Sequence, residues 1–277
     1  MKRKLAWGLR HALGLAITAV FLLPLYWIFT ASLRPIGLPP PTTVEWLPAS
    51  PTLDNYPIIF DLVPMARYLR NSLIVVAVAV PMTVFVASVA GFALSQETDL
   101  WRRRMLVFSV VMLMIPGASV WIFRFQILRW LGLLDSLGAL IVPAFAAGNP
   151  LYVLLFFWSY RRVPIEIIES ARLEGASAWL IWWRLVRPLV HPTAVGVTIL
   201  SFVMYWSDFV SPVLYVFRTD LYTLPIGLQL IKQLDPTNWP LLMSAAAVMT
   251  LPVVILFVIL QRSFLNDLSI ANLMDQN

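Results

Sequence analysis

The sequence predicts an all-α integral membrane protein with six transmembrane helices. Of the 277 residues, 60% are hydrophobic and 12% are charged, and the mean hydropathy is +0.81. Soluble domains carry about 25% charged residues, so this balance favours a membrane protein. Six stretches are apolar over about 20 residues, the length that crosses the hydrocarbon of a bilayer. Each must satisfy its backbone hydrogen bonds internally, which predicts helices; the short alternating segments of a β-barrel are not seen.

The six predicted spans are roughly 12–33, 72–94, 105–127, 138–159, 194–216 and 240–261. The first span follows MKRK, but its apolar run is longer than a signal core and lacks a clear cleavage site, which predicts an uncleaved helix. With the N-terminus inside, 13 of the 20 Lys and Arg residues lie on the cytoplasmic side. This bias follows the positive-inside rule and places both termini and residues 160–192 in the cytoplasm. It also explains the net charge of +6 without nucleic acid.

Prolines lie within or beside several of these spans. Each removes a backbone hydrogen bond that lipid cannot replace. They predict either kinks that permit tight packing or hinges and breaks that line a transport cavity, and the sequence leaves both open. The prolines concerned are Pro24, Pro81, Pro116, Pro143, Pro150, Pro212 and Pro252.

The longest external segment covers residues 34–70 and is dense in proline, which favours extended conformations. We expect either an ordered strap or a linker.

Loop 164–192 is long, charged and predicted to be cytoplasmic. Pro164 suits a helix start, Glu166 and Glu169 complement the helix dipole, and Gly175 suits the left-handed residue that follows a helix end. These signals predict a short helix from about Ile165 to Glu174. Small residues in and just after this helix leave little side-chain bulk on part of its surface, so that a partner could approach closely. They are Ala171, Gly175 and Ala176.

A second helix is predicted to begin with Ser177 as its N-cap. An apolar stripe follows at helical spacing, which predicts a helix lying at the level of the lipid headgroups beside Arg184 and Arg187. Pro188 and Pro192 then turn the chain into the fifth span. The stripe comprises Trp179, Trp182, Trp183 and Val186. From these residues alone, an amphipathic connector without a partner remains open.

Reactive motifs are missing, so we expect a transport subunit rather than an enzyme. There is no cysteine, and the two histidines are far apart in the chain, which argues against a metal centre. No glycine precedes a lysine, so the chain has no phosphate-binding P-loop of its own. Active transport would therefore draw energy from another subunit or from an ion gradient.

Asp208 is the one acid that lies clearly within a predicted span. An intramembrane carboxylate either serves a pathway or makes a structural hydrogen bond. An ion-coupled secondary carrier or channel subunit using Asp208 is therefore the alternative function. A membrane anchor that recruits a cytoplasmic partner is a third, which would leave the proline-broken spans unexplained.

The sequence ESARLEGASAWLIWWRLVRP, residues 169–188, resembles the EAA loop of permease subunits of bacterial binding-protein-dependent ABC importers. The matching residues are Glu169, Ser170, Ala171, Glu174, Gly175 and Pro188. Serine at the second position departs from the commonest form but is also small. Other short words, within residues 52–264, resemble the carbohydrate-uptake branch, specifically the second permease of maltose-type systems: NSLIV at 71–75, MIPG at 114–117, LGLLDS at 131–136, YWSDF at 205–209, YTLPIGL at 222–228 and LQRSF at 260–264.

The resemblance implies a type I ABC importer permease fold with a cytoplasmic coupling helix, in the bacterial inner membrane. It implies a second homologous permease, two cytoplasmic ATPase subunits and an extracytoplasmic solute-binding protein that delivers a sugar. This chain would carry no cofactor, since ATP and Mg would bind to the ATPase. Glu169 would make a charge contact with the ATPase, Ala171 and Gly175 would permit close docking, and Pro188 would redirect the chain.

The same resemblance implies three regions. Residues 1–70 hold the first transmembrane helix and the proline-rich external segment, residues 71–262 form a five-helix core with the EAA loop at 164–192, and residues 263–277 form a cytoplasmic tail. The tail lacks the glycine and lysine that are common in the branch. Tyr205 and Trp206 could stack on sugar rings near mid-membrane, with Asp208 beside the pathway.

Overall fold

The computed structural model describes residues 2–43 and 45–274, and the side chains of residues 7–43 and 45–261. Every regular element in the described residues is helical. Four helical stretches are long and apolar enough to cross a membrane: Trp7–Ser32, Met65–Gln96, Gly138–Tyr160 and Trp239–Gln261. Two bent pairs raise the number to six if each pair is one span. The predicted all-α membrane fold is confirmed.

The elements follow the chain in a simple order. They are α1 (Lys2–Ser32), α2 (Asn55–Leu62), α3 (Met65–Gln96), α4 (Asp99–Met114), α5 (Gly117–Trp130), α6 (Gly138–Ile141), a 3₁₀ turn (Val142–Ala146), α7 (Pro150–Tyr160), α8 (Ile165–Leu173), α9 (Ala178–Leu180), a π-helical turn (Ile181–Val186), α10 (Arg187–Leu189), α11 (His191–Trp206), α12 (Val210–Tyr215), a 3₁₀ turn (Thr219–Leu221), α13 (Leu224–Leu234) and α14 (Trp239–Met274).

The predicted span at 105–127 is not one helix. Helices α4 and α5 meet at a bend of 99°. Between them Ile115 is extended (φ −74°, ψ 121°), and Pro116 precedes the first residue of α5. Proline disfavours the helical conformation of the residue before it, so the chain breaks here. The hydropathy of the segment correctly located apolar sequence but not its interruption.

Two further predicted spans are also interrupted. Within 138–159, Ala147 and Gly148 adopt positive φ values of 62° and 65° before α7 begins. Within 194–216, α11 ends at Trp206 and α12 begins at Val210. Pro24, Pro81 and Pro252, by contrast, lie inside continuous helices. The prolines therefore lie both inside continuous helices and beside breaks, and the choice between packing kinks and cavity-lining hinges stays a prediction.

The chain divides into two compact units, one of residues 1–66 and 227–252 and the other of residues 67–226 and 253–277. In the first unit, residues 33–43 and 45–54, from the first part of the predicted external segment 34–70, form an ordered strap rather than a linker. The Asn55 side-chain amide donates to the carbonyl oxygens of Ser32 (2.9 Å) and Arg34 (2.7 Å). Arg34 donates to the Pro39 carbonyl at 2.9 Å and pairs with Glu45 at 3.2 Å. The Asn55 amide nitrogen and the Arg34 guanidinium are thus bonded within their own unit, whereas the Asn55 Oδ1 is buried without a hydrogen-bond partner.

The second unit contains an apolar cluster formed by residues of α3, α7 and loop 164–192. From α3 and α7 come Phe92, Tyr152, Phe156 and Tyr160, and from the loop come Ile168, Ala171, Ile181, Trp182 and Val186. The loop is therefore built into the core of this unit.

The predicted C-terminal tail begins within α14, which extends to Met274. Residues 275–277 lie outside the described residues.

Candidate functional site

Helix α8 begins and ends as its sequence predicts. Pro164 directly precedes it, and Glu166 lies in its first turn. At the other end Gly175 has a φ of +84°, the Ala176 N–H donates to the Ala171 carbonyl at 2.9 Å, and the Gly175 N–H donates to that of Arg172 at 3.0 Å. This pair of bonds is a Schellman motif, which satisfies carbonyls that a helix end leaves without partners.

The two faces of α8 differ sharply. Ile168 and Ala171 are buried in the cluster of the second unit, at 2% and 8% exposure. Glu169, Ser170, Glu174 and Gly175 are exposed. The buried pair fixes the helix to its own chain, and the exposed set is left for contact with something else.

Ala171 departs from the role expected of it. It was expected to lower the outer surface for a partner, but its side chain packs inward because it shares the Ile168 face. Gly175 keeps the expected openness, since a Cβ added there would meet nothing within 4 Å.

Leu173 is a feature of the outer face that sequence reasoning missed. It is 90% exposed, although leucine is among the residue types most often buried. The helical spacing could have indicated this exposure, because Leu173 lies off the face of α8 that Ile168 and Ala171 share. This exposed leucine lies between the charged residues Arg172 and Glu174 in the chain and is accessible to another molecule.

Arg172 ties α8 to the end of α3. Its guanidinium donates to the Gln96 side-chain oxygen at 2.8 Å. Together with the buried Ile168 and Ala171, this bond makes the helix a rigid extension of the membrane helices in its unit.

The arm, residues 177–189, follows α8. Its predicted N-cap is confirmed: the Ser177 hydroxyl accepts a hydrogen bond from the Leu180 N–H at 3.3 Å. The chain then forms the π-helical turn Ile181–Val186 instead of a continuous α-helix. Pro188 lies in the short α10, just before the 84° bend that separates residues Ala178–Leu189 from α11.

The prediction that the four apolar residues of the stripe share one face of the arm is wrong. Trp179 and Trp183 are 56% and 44% exposed, but Trp182 and Val186 are buried at 2% and 0%. The π-helical turn has more residues per turn than an α-helix, so the spacing that places all four on one α-helical face does not apply.

Trp182 instead completes a buried polar triad with Ser88 and Tyr160. Its indole Nε1 donates to the Ser88 Oγ and to the Tyr160 Oη, both at 3.1 Å, and these two hydroxyls lie 2.7 Å apart. The triad joins the arm to α3 and α7. Because buried polar groups left without partners are costly, it specifies one position for the arm.

The predicted pathway residues lie elsewhere in the same unit. Tyr205 and Trp206 are buried, at 9% and 1% exposure. The Tyr205 hydroxyl lies 3.2 Å from the Thr83 hydroxyl, and a Cβ on Gly148 would come within 2.9 Å of it. Trp206 stacks on Phe202 with centroids 5.4 Å apart. Contact of either ring with a sugar remains a prediction that would require these residues to be uncovered.

Asp208 makes a structural hydrogen bond, which is one of the two roles that the sequence left open for it. Its Oδ1 accepts from the Ser211 N–H at 3.0 Å, at the start of α12. The carboxylate thus stabilises the helix that resumes after the break at residues 207–209.

Two of the short sequences that carry the family resemblance form hydrogen bonds with the loop that follows α12. Asn71, in NSLIV, donates to the carbonyls of Asp220 and Tyr222, both at 2.9 Å. Asp135, in LGLLDS, accepts from the N–H groups of Phe217 (2.9 Å) and Arg218 (2.8 Å). These two donations lower the pKa of the Asp135 carboxyl. Asn71 and Asp135 therefore link segments that are distant in sequence.

Residues 79–269 match the family described as the binding-protein-dependent transport system inner membrane component. The chain belongs to this family. It is 30% identical over 278 residues to the arabinooligosaccharides transport system permease protein AraQ of Halalkalibacterium halodurans, with 98% of each chain covered. It is 29% identical over 252 residues to the sulfoquinovosyl glycerol transport system permease protein SmoH of Agrobacterium fabrum, with 91% of this chain and 88% of that protein covered.

Among solved structures, a bacterial ABC transporter involved in the import of the acidic polysaccharide alginate contains a similar chain. The TM-score is 0.75 at 20% identity, with 95% of this chain and 98% of that chain covered. This likeness shows the fold. The family resemblance and the ABC importer permease fold predicted from the sequence are both confirmed.

Proposed function

We propose that this chain is one of two permeases of an ATP-driven importer for a sugar or oligosaccharide. An extracytoplasmic binding protein delivers the solute, and two separate ATPase subunits dock on loop 164–192. The observation that carries the proposal is the division of α8 into a face fixed in the core of its own chain and an exposed outer face. A helix built in this way transmits a push or a pull from a docked partner to the spans.

The docking surface would centre on Leu173. Protein interfaces have an apolar core and a polar, solvent-accessible rim. Glu169 and Glu174 supply that rim, and the open side of Gly175 lets a partner backbone approach closely. ATP and Mg would bind to the partner, since no glycine in this chain precedes a lysine.

The solute class follows from the relatives. AraQ is named for arabinooligosaccharides and SmoH for sulfoquinovosyl glycerol, and both solutes contain sugar rings. Tyr205 and Trp206 remain the proposed aromatic contacts in the pathway. Opening of the break at residues 207–209 would uncover them.

The topology belongs to the proposal as well. On the bias of Lys and Arg, the chain would lie in the inner membrane of a bacterial cell, with both termini and loop 164–192 in the cytoplasm. In this topology the strap would lie on the external side, where the binding protein approaches.

Transport by the reconstituted complex tests this function. The chain would be co-expressed with its neighbouring transport genes, and ATPase retention and sugar uptake would be measured in proteoliposomes. We expect co-purification of an ATPase with an intact P-loop. Glu169→Lys should lower ATP-driven uptake at least about tenfold, because the reversed charge would repel the partner group that pairs with Glu169, at a cost of about 1.4 kcal/mol or more.

The control is Glu97→Lys, an equal charge change at another exposed residue on the same proposed side of the membrane. It should leave uptake unchanged. Normal uptake by both Glu169→Lys and Gly175→Trp would rule out the docking assignment.

A further inference from the structure

A cavity of about 550 Å³ lies in the second unit, between α3, the arm and α11. Its volume is within the range of roughly 300–1,000 Å³ that is typical of small-molecule sites. Val80, Val84 and Phe85 line it from α3, Trp182 and Arg187 from the arm and α10, and Ala194 from α11. Residues of loop 164–192 therefore line a ligand-sized cavity that is separate from the proposed docking surface.

The walls of the cavity offer few free polar groups. The hydroxyl of Ser88 is used in the polar triad with Trp182 and Tyr160. The Thr198 hydroxyl donates to the Ala194 carbonyl at 2.8 Å. A polyhydroxylated sugar would therefore lose hydrogen bonds to water without replacing them here, whereas a hydrocarbon chain would not.

One end of the cavity is cationic. Arg187 is exposed, and its guanidinium lies 3.9 Å from the centroid of the Trp183 ring. No carboxylate belongs to the lining, and within residues 7–43 and 45–261 no ion pair is formed by Arg187. An anionic group placed at this end of the cavity would lie beside the Arg187 guanidinium.

We infer that this cavity binds one acidic phospholipid, with an acyl chain along α3 and the phosphate at Arg187. The inference rests on the proposed topology, which puts the arm at the level of the cytoplasmic headgroups. Exposed Trp179 and Trp183 suit that level, since tryptophan concentrates at membrane interfaces. Basic pockets between membrane helices on the cytoplasmic side are suited to anionic headgroups.

Occupancy would affect the arm directly. Pro81 and Phe85 from α3 and Trp182 from the arm border the same space. A lipid chain between them would restrict movement of the arm against α3, so the acidic lipid content of the membrane would tune transport.

Lipid retention by the full chain, purified with its partners, tests the inference. The complex would be reconstituted in nanodiscs of equimolar phosphatidylglycerol and phosphatidylethanolamine, and the retained lipids would be counted by native mass spectrometry. We expect one tightly retained phosphatidylglycerol per chain. Arg187→Gln should reduce the preference for phosphatidylglycerol about fivefold, the ratio that corresponds to about 1 kcal/mol for one basic residue near anionic lipid. Arg187→Lys should keep the preference.

Arg184→Gln is the matched control, because Arg184 is an exposed arginine in the same arm but does not line the cavity. It should leave retention unchanged. Ala194→Trp should fill the space and abolish retention of either lipid, with the melting temperature of the complex verifying its fold.

Several outcomes would overturn the inference: equal retention of both lipids by the unmodified chain, equal losses in Arg184→Gln and Arg187→Gln, or displacement of the lipid by excess inorganic phosphate. Displacement would indicate a site for a soluble anion. The measurement uses neither sugar nor ATP, so its failure leaves the proposed transport function standing, and failed transport with retained lipid would count against the latter alone.

Discussion

The strap and loop 164–192 are both polar segments in an apolar chain, but they use their polar groups in opposite ways. In the strap, Arg34 is 8% exposed and bonds to Pro39 and Glu45. In the loop, Glu169 and Glu174 face outward beside an exposed leucine. The buried Arg34 therefore holds the strap in place within its own unit, although the strap also exposes apolar side chains such as Leu47 (71%). The loop differs in that its two carboxylates are exposed, which suits contact with a partner.

The largest expected effect lies at the base of the strap. Asn55→Leu removes the donor to the Ser32 and Arg34 carbonyls and should destabilise the protein by about 2–3 kcal/mol, because buried acceptors lose their partner. The unfolding midpoint in detergent would measure the change. Glu169→Lys should leave that midpoint unchanged. Equal midpoint shifts in both variants would break the distinction between the two segments.

The next effect concerns the inner side of the loop. Trp182→Phe keeps most of the apolar area but removes the indole donor from the polar triad, at about 2 kcal/mol. Thermal unfolding would be measured for this variant, for Ser88→Ala and for the double variant. The two changes should be strongly non-additive. Trp179→Phe, on the exposed side of the same arm, is the control and should change stability by less than about 0.5 kcal/mol.

A smaller effect is expected where α8 ends. Gly175→Ala should cost about 1–2 kcal/mol, because φ is +84° and a side chain disfavours this left-handed region. No steric contribution is expected, since an added Cβ meets nothing within 4 Å. Gly196→Ala provides the contrast: it lies within α11, has equal space, and should gain about 0.5–1 kcal/mol. A stabilising Gly175→Ala would contradict the Schellman motif.

The smallest expected effect concerns the hydrogen bonds of Asp135. It tests whether they hold their loop in place as the bonds of Arg34 hold the strap. The Arg218 and Phe217 N–H groups lower the pKa of Asp135, so its contribution is present above the ordinary carboxyl pKa of about 3.9. It is lost as the pH falls through the lower folded-state pKa. Limited proteolysis near residues 216–218 should therefore accelerate only in strong acid, and Asp135→Asn should accelerate it already at neutral pH. Acceleration between pH 7 and pH 5 in the unmodified chain would contradict the assignment.

Local signals in the sequence predicted the ends of helices better than their continuity. Pro164, Gly175 and Ser177 located the ends of α8 and the start of α9, because each acts through its own backbone or side chain. Hydropathy alone did not show the interruption at Ile115, since it averages over about 20 residues, although Pro116 was among the prolines predicted to kink or break a span.

The candidate site was predicted in its outline and missed in its orientation. The spacing of Glu169, Gly175 and Pro188 identified the loop, but not which side of α8 faces inward. That choice is made by tertiary packing of Ile168 and Ala171 against α3 and α7. Trp182 was misplaced because the 3.6-residue period was assumed through a π-helical turn, which no local signal in IWWRLV announces.

The π-helical turn Ile181–Val186 also makes the arm tolerant of a change in its length. An α-helix advances about 100° per residue, and a π turn completes its rotation with one residue more than an α turn does. Removing one residue there would restore an α-helical turn and leave the side chains on either side in nearly the same orientation. The arm could therefore lose this one residue without turning α8 relative to α11.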